Sequence, residues 1–264
     1  MVTPNYMMVS EVAGEEVSVE QIERTISRYG WARGYCQDKD VLEVACGTGQ
    51  GLGCLTDVAR SLSACDISKE MLQQAKDGMG LHVEFKEALA ELLPWPSNSK
   101  DVILCYEAIY YFDDVDKFMR EARRVLRKTG KLLLVVCNKD LFDFTPSPFA
   151  KKYFGVRELG WLCEKYDYTT RFFGGTKIKN VNLWQKGLRP VKAVISRFGL
   201  MPGSMKSKKF LKRIVFGKLK PMPKKLSMDS MLFSPPDPID HSQPNHDYKV
   251  IFCEATAGPS SSTK

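Results

Sequence analysis

Val41-Leu42-Glu43-Val44-Ala45-Cys46-Gly47-Thr48-Gly49-Gln50-Gly51 reads as a buried strand that ends in a glycine-rich turn and runs on into a helix. Val41, Leu42 and Val44 supply the apolar run of a strand covered on both faces, with Glu43 near its carboxyl end. Gly47 and Gly49 let the backbone turn tightly and approach a ligand with no Cβ in the way. An acid at that strand end accepts hydrogen bonds or holds a positive charge, and the following helix offers free N–H groups. The simplest occupant is a cofactor carrying an adenosine and a charged tail.

Working outward, Ser18 and Gln21 form a capping-box pattern ahead of Val19, Ile22, Ile26 and Tyr29 at helical spacing, which predicts a helix to about Tyr29. The first strand is expected at 40–46, a helix at about 49–59 and a second strand at 62–66. A helix beginning at Ser68 carries Met71, Leu72 and Ala75 and is closed by Gly78 and Gly80. The alternation of 81–85 predicts a third strand, and Leu93-Pro94-Trp95-Pro96-Ser97-Asn98-Ser99 is loop chemistry. Strands at 101–106 and 131–137 flank an amphipathic helix marked by Val115, Phe118, Met119, Ala122, Val125 and Leu126. A short helix at 158–165 and strands at 169–173 and 248–255 complete the pattern. Strands alternating with helices in this way predict a parallel sheet covered on both faces.

Charge is divided unevenly along the 264 residues. Residues 1–150 hold 17 Lys/Arg against 23 Asp/Glu, whereas 151–264 hold 22 against 8, and no acid occurs between Gly187 and Leu226. Two such halves are unlike in task. No apolar run reaches the length of a membrane span, and the first residues lack a basic-then-apolar leader pattern. Eight cysteines at irregular spacing, without Cys-x-x-Cys, argue against a zinc site or disulfide framework and fit a reducing cytoplasm. Three histidines, none spaced with acids or cysteines as ligands, give no metal set.

The motifs resemble those of the class I S-adenosylmethionine-dependent methyltransferases over about 18–175 and again at 248–255. Glu43-Val44-Ala45-Cys46-Gly47-Thr48-Gly49 is similar to the family's acid-x-Gly-x-Gly-x-Gly, with Ala45 in place of the first glycine. Asp66, followed by Ile67-Ser68-Lys69-Glu70-Met71, looks like the acid that holds the ribose diol, since one carboxylate offers two oxygens to two hydroxyls. Leu92-Leu93-Pro94-Trp95-Pro96 is similar to the family's Leu-Pro-Phe-type loop. The acid that usually meets the adenine is displaced or absent here, and the resemblance assigns Glu87, with Ala88 as a backbone contact. A nicotinamide-binding fingerprint fails, because its third glycine falls on Leu52.

The resemblance implies a Rossmann-like α/β fold with a seven-stranded, mostly parallel sheet, helices on both faces and the last strand inserted antiparallel. It implies S-adenosyl-L-methionine as cofactor, held by Glu43, Ala45, Cys46, Gly47, Gly49, Asp66, Ile67, Met71, Glu87, Ala88 and Tyr106. The methyltransferase core is expected to span 1–175 with 247–257, a basic, mainly helical cap 176–246, and a disordered tail 258–264. Methyl transfer needs a base only when the acceptor must lose a proton. Tyr110 and Tyr111 after the fourth strand and His246 at the end of the cap are the candidates; Glu107 reads more plainly as an exposed acid at a helix start. Phe210, Leu211, Ile214 and Val215 form an apolar stripe within a cationic run, which reads first as a lid helix. The sharper alternative is an anionic partner: a phosphate-bearing glycan, a lipid-linked intermediate or a membrane surface, with nucleic acid third. The expected function is methyl transfer to a small-molecule, glycan or lipid-linked acceptor by a cytoplasmic protein, at most peripheral at a membrane. The competing expectation is a non-catalytic protein of this fold that binds an anionic membrane or nucleic-acid surface.

Overall fold

A computed structural model describes residues 12–142, 144–178, 219–230 and 233–258. The first element among the described residues is β1 (Glu16–Ser18), which runs straight into α1 (Val19–Cys36). The capping box forms as expected: Ser18 Oγ accepts from the Gln21 N–H (3.2 Å) and Gln21 Oε1 from the Ser18 N–H (3.0 Å). Then follow β2 (Asp40–Val44), β3 (Ser61–Asp66), α2 (Lys69–Met79), β4 (Glu84–Glu87), β5 (Lys100–Tyr106), α3 (Val115–Val125), β6 (Leu126–Cys137), α4 (Val156–Lys165), β7 (Tyr168–Lys177), β8 (Leu219–Pro221), β9 (Asp237–Ile239) and β10 (Tyr248–Ala257).

The main sheet has the order β4-β3-β2-β5-β6-β10-β7-β9. Strands β4 to β6 pair in parallel, and β10 is inserted antiparallel to both β6 and β7, as expected. The three-residue β9 adds an eighth, antiparallel strand to the expected seven, pairing with 172–174 of β7. Alternation along β6 shows how both faces are covered. Leu132, Leu134 and Val136 join Phe118, Met119 and Leu159 on one side, while Leu133 and Val135 join Ile26, Leu52 and Leu104 on the other. Each such fully buried side chain contributes about 1.5–3 kcal/mol of burial free energy. All eight cysteines are free, and seven of them are buried in these layers.

Several expected elements differ: α1 runs on to Cys36 rather than ending near Tyr29, and β6 begins at Leu126 rather than at 131. Residues 50–54 form a 3-10 turn rather than a helix to 59. Tyr29 of α1 lies against Gly51 so closely that an added Cβ would overlap its ring, and the Leu226 N–H donates to the Gln50 carbonyl at 2.8 Å. Packing from two sides replaces helical continuation in a segment whose glycines give helix little support. The third strand begins at Glu84, because 80–82 wind into a 3-10 turn once Gly80 takes a left-handed φ of 62°. Residues 219–246 contain short strands and a 3-10 turn packed on the core. Thus β8 pairs with β1 antiparallel, and Met222 and Leu226 are buried. The stripe at 210–215 and the rest of 179–218 lie outside the described residues, as does 259–264 of the tail; Gly258 is anchored by N–H donation to the Asp167 carbonyl. No helix among the described residues is long and apolar enough to cross a membrane.

Candidate functional site

A parallel sheet leaves its ligand crevice at the carboxyl ends of the strands. Here the ends of β2, β3 and β5, the loop after β4 and the middle of α1 line a cavity of about 350 Å³. That is within the usual range for small-molecule sites. Of the residues expected at a cofactor site, Glu43, Ala45, Cys46, Gly47, Asp66, Ile67, Met71, Ala88 and Tyr106 line it. Gly49 and Glu87 do not.

Gly49 acts one layer back. Its φ of 67° turns the chain, and an added Cβ would come within 2.9 Å of Ala75 Cβ on α2. Ala45 also takes a left-handed φ, 58°, so the residue at the family's first glycine position adopts glycine-like backbone at a cost of about 1–2 kcal/mol. Glu87 is exposed at the end of the edge strand β4 and pairs with Lys69 at 3.5 Å. Ala88 and Leu89 occupy the cavity wall instead, without an acid.

Glu43 is buried at the end of β2. Its Oε1 accepts the Tyr29 hydroxyl at 2.5 Å, and its Oε2 has no partner among the described residues. Burial pushes its carboxyl up to about 8, against the pull of the Tyr29 hydrogen bond. Asp66 ties the turn to β3: its Oδ2 accepts from the Gly47 N–H at 2.8 Å and its Oδ1 from the Ser68 N–H at 2.9 Å. Burial nonetheless leaves it above its ordinary carboxyl value. The Tyr106 hydroxyl, buried and unpartnered among the described residues, also belongs to the cavity.

Glu107 is neither an exposed acid nor the start of a helix. It follows β5 at a φ of 52°, pairs with Arg28 at 3.1 Å, and accepts the Tyr110 hydroxyl (2.8 Å) and the Cys137 N–H (3.1 Å). Tyr110 and Tyr111 line the cavity; Tyr110 packs against Tyr111 and Tyr153 with ring centroids 4.6 Å apart in each pair. The two tyrosines give the cavity an aromatic side. His246 is not there: its Nδ1 lies 2.6 Å from the Asp140 carbonyl outside the cavity. His241 stacks on Phe172 and His82 is exposed in the turn before β4. Trp31 packs on Phe173 and Phe252, docking α1 rather than facing the cavity.

Sequence reasoning missed Arg24, Arg28, Glu91 and Cys137, all of which line the cavity. Arg24 and Arg28, four residues apart, share a helix face with cavity-lining Tyr29 next to them, and that spacing was the available signal. Among the described residues no cluster of His, Cys, Asp and Glu suits a metal ion.

Comparisons with known proteins point the same way. Residues 42–134 match the model of a family described as a methyltransferase domain. The uncharacterized methyltransferase YcgJ of Bacillus subtilis is 35% identical over 99 residues, 36% of this chain and 39% of that protein. Its crystal structure is similar with a TM-score of 0.56 at 19% identity, over 88% of this chain and 98% of that one, a likeness of fold. The probable S-adenosylmethionine-dependent methyltransferase Rv3030 of Mycobacterium tuberculosis is 32% identical over 128 residues, 47% of this chain and 46% of that protein. The ubiquinone/menaquinone biosynthesis C-methyltransferase UbiE of Hahella chejuensis is 35% identical over 126 residues, 41% of this chain and 51% of that protein. By sequence the chain spans about half the length, or less, of each of these relatives.

Proposed function

We infer that this chain, which belongs to the class I S-adenosylmethionine-dependent methyltransferases through residues 42–134, transfers a methyl group from that cofactor to a small-molecule, glycan or lipid-linked acceptor. The observation that carries this reading is the pair of buried polar atoms left unpartnered among the described residues, Glu43 Oε2 and Tyr106 Oη, in a cavity bordered by the left-handed turn at Gly47. Burying such atoms without hydrogen bonds costs about 1–3 kcal/mol each, a cost a ligand removes by bonding to them.

The residues present fit the cofactor. Glu43 and Tyr106 would face its charged tail, Asp66 its ribose, and Ile67, Met71, Ala88 and Leu89 its adenine. S-adenosylmethionine supplies a methyl group already activated on a sulfonium. The chain therefore has to align donor and acceptor and exclude water. The Tyr110–Tyr111–Tyr153 side offers the acceptor an apolar, oriented surface. The relative named for ubiquinone/menaquinone biosynthesis supports a lipid-linked acceptor among the three classes.

Calorimetry with S-adenosylhomocysteine, followed by transfer of an isotopically labelled methyl group into cell extract, tests the proposal. Binding and labelling are expected; no heat and no label would sink it.

The protonation of Glu43 makes a second measurement possible. With a carboxyl pushed up to about 8, Glu43 is largely protonated near neutral pH. A cationic tail beside it favours the ionised form, so binding releases a proton between about pH 5 and 8. The heat of binding S-adenosylhomocysteine is therefore expected to vary with the ionisation enthalpy of the buffer, and Glu43→Gln to remove that variation. In the free protein the same raised value means that the folded chain holds the proton the unfolded chain has lost. Stability contributed by Glu43 accordingly falls as pH rises from about 5 to 8.

A further inference from the structure

Helix α1 carries three arginines toward neighbouring elements, and two are matched. Arg28 pairs with Glu107 at 3.1 Å and Arg33 with Asp57 at 2.5 Å. Arg24, one turn before Arg28 and lining the same cavity, has no ion pair among the described residues, and its Nε is shielded from solvent without a hydrogen-bond partner. A guanidinium serving only to pin the helix would resemble its two neighbours. An unmatched one beside a cavity holds five donors ready for an anion, in a planar fork that suits a carboxylate.

The charges around it favour the same ligand chemistry. Glu43 and Asp66 give the cavity its acidic end, suited to a cation and to hydroxyls, whereas Arg24 is its one cation unmatched among the described residues. We propose that Arg24 is a carboxylate-binding residue of this cavity, which reads either the α-carboxylate of the cofactor tail or a carboxylate on the acceptor. The proposal rests on the cavity being a cofactor-and-acceptor site, and it adds a residue that no motif in the chain assigns.

Arg24→Gln separates the two sources. The probes are S-adenosylhomocysteine and its decarboxylated analogue S-adenosyl-3-thiopropylamine, which keeps the amine and lacks the carboxylate. If the cofactor is the source, the substitution weakens S-adenosylhomocysteine by about 10- to 100-fold and leaves the analogue unchanged, as expected for losing charge-assisted bonds. If the acceptor is the source, both affinities stay as in the wild type. Labelled-methyl incorporation from extract then disappears from the products retained on an anion-exchange column. Arg24→Lys, which keeps the charge, is expected to recover most of either effect. Equal weakening of both probes, or unchanged binding together with unchanged labelling of the retained products, would overturn the proposal. Wild-type protein that binds neither probe fails the methyltransferase reading itself, a result visible without any variant.

Discussion

Asp66→Ala is expected to weaken S-adenosylhomocysteine by at least about 100-fold, the scale of losing two charge-assisted hydrogen bonds of about 1.5–3 kcal/mol each. The side chain is buried, and each of its oxygens is already fixed by a backbone donor: Gly47 N–H at 2.8 Å and Ser68 N–H at 2.9 Å. Each oxygen keeps a second lone pair for a ribose hydroxyl. Removing the carboxylate would therefore take away the proposed ribose contacts and also the tie between the turn and β3. Asp66→Asn distinguishes the two losses. Its amide matches one of the two N–H groups and sets a donor against the other, so the turn is half tethered and the diol half recognised. An intermediate affinity is expected. Calorimetry gives the affinities and thermal unfolding the tether. An Asp66→Ala protein that melts lower yet binds within about threefold of wild type would assign Asp66 to structure alone.

Gly51→Ala is expected to have the largest effect on stability, about 4 kcal/mol, from a single added methyl group. Forcing a Cβ into packed surroundings costs about 1–3 kcal/mol, and displacing Tyr29 breaks its buried hydrogen bond to Glu43, worth a further 1–3 kcal/mol. The overlap is with the aromatic ring itself, flanked by Tyr106 at a centroid distance of 5.4 Å, so there is no flexible chain end to move aside. Gly34→Ala is the control. It lies in the same helix as Tyr29 with nothing within 4 Å of an added Cβ, and is expected to be neutral or slightly stabilising. Because the clash is pairwise, Tyr29→Ala combined with Gly51→Ala should cost less than the sum of the two. Urea unfolding of the four proteins checks this. A Gly51→Ala protein within about 1 kcal/mol of wild type would show that the close approach is not a constraint.

These two sites also show what the sequence made legible. The place of Asp66 in the cavity wall is legible because it is written locally, as an acid at a strand end with a helix start behind it. The strands at β2, β5, β6 and β10 were readable for the same reason: each is a short apolar run whose period is set by its own residues. Gly51 was read as the opening of a helix, since no local pattern records that Tyr29, 22 positions earlier, presses on it. His246 reads as a candidate base, yet its ring lies 2.6 Å from the Asp140 carbonyl, and Glu87 reads as an adenine contact, yet it pairs outside the cavity with Lys69. Glu107 was misjudged because its partner Arg28 is 79 residues away. In each case the deciding partner is distant in sequence, and no periodicity or spacing rule reports such partners. Local pattern reports the turn and strand ends of the cavity, while the α1 residues and Cys137 that complete its lining come from elements far away in sequence.

The insertion of β10 between β6 and β7 has a consequence for how the molecule comes into being. Val250–Thr256 pair with 131–137 on one side and Tyr248–Ala257 with 168–177 on the other. During synthesis, strands β2 to β6 can assemble as soon as they emerge, but β6 and β7 then stand with unpaired backbone facing an empty slot. Both edges are templates for the wrong strand, from this chain or another, until some seventy further residues have followed β7. Closure joins segments far apart in sequence, and its loop entropy must be met before any pairing compensates it, a kind of step that is slow in general. The strand that fills the slot covers both edges at once, and with it this exposure of the growing chain ends.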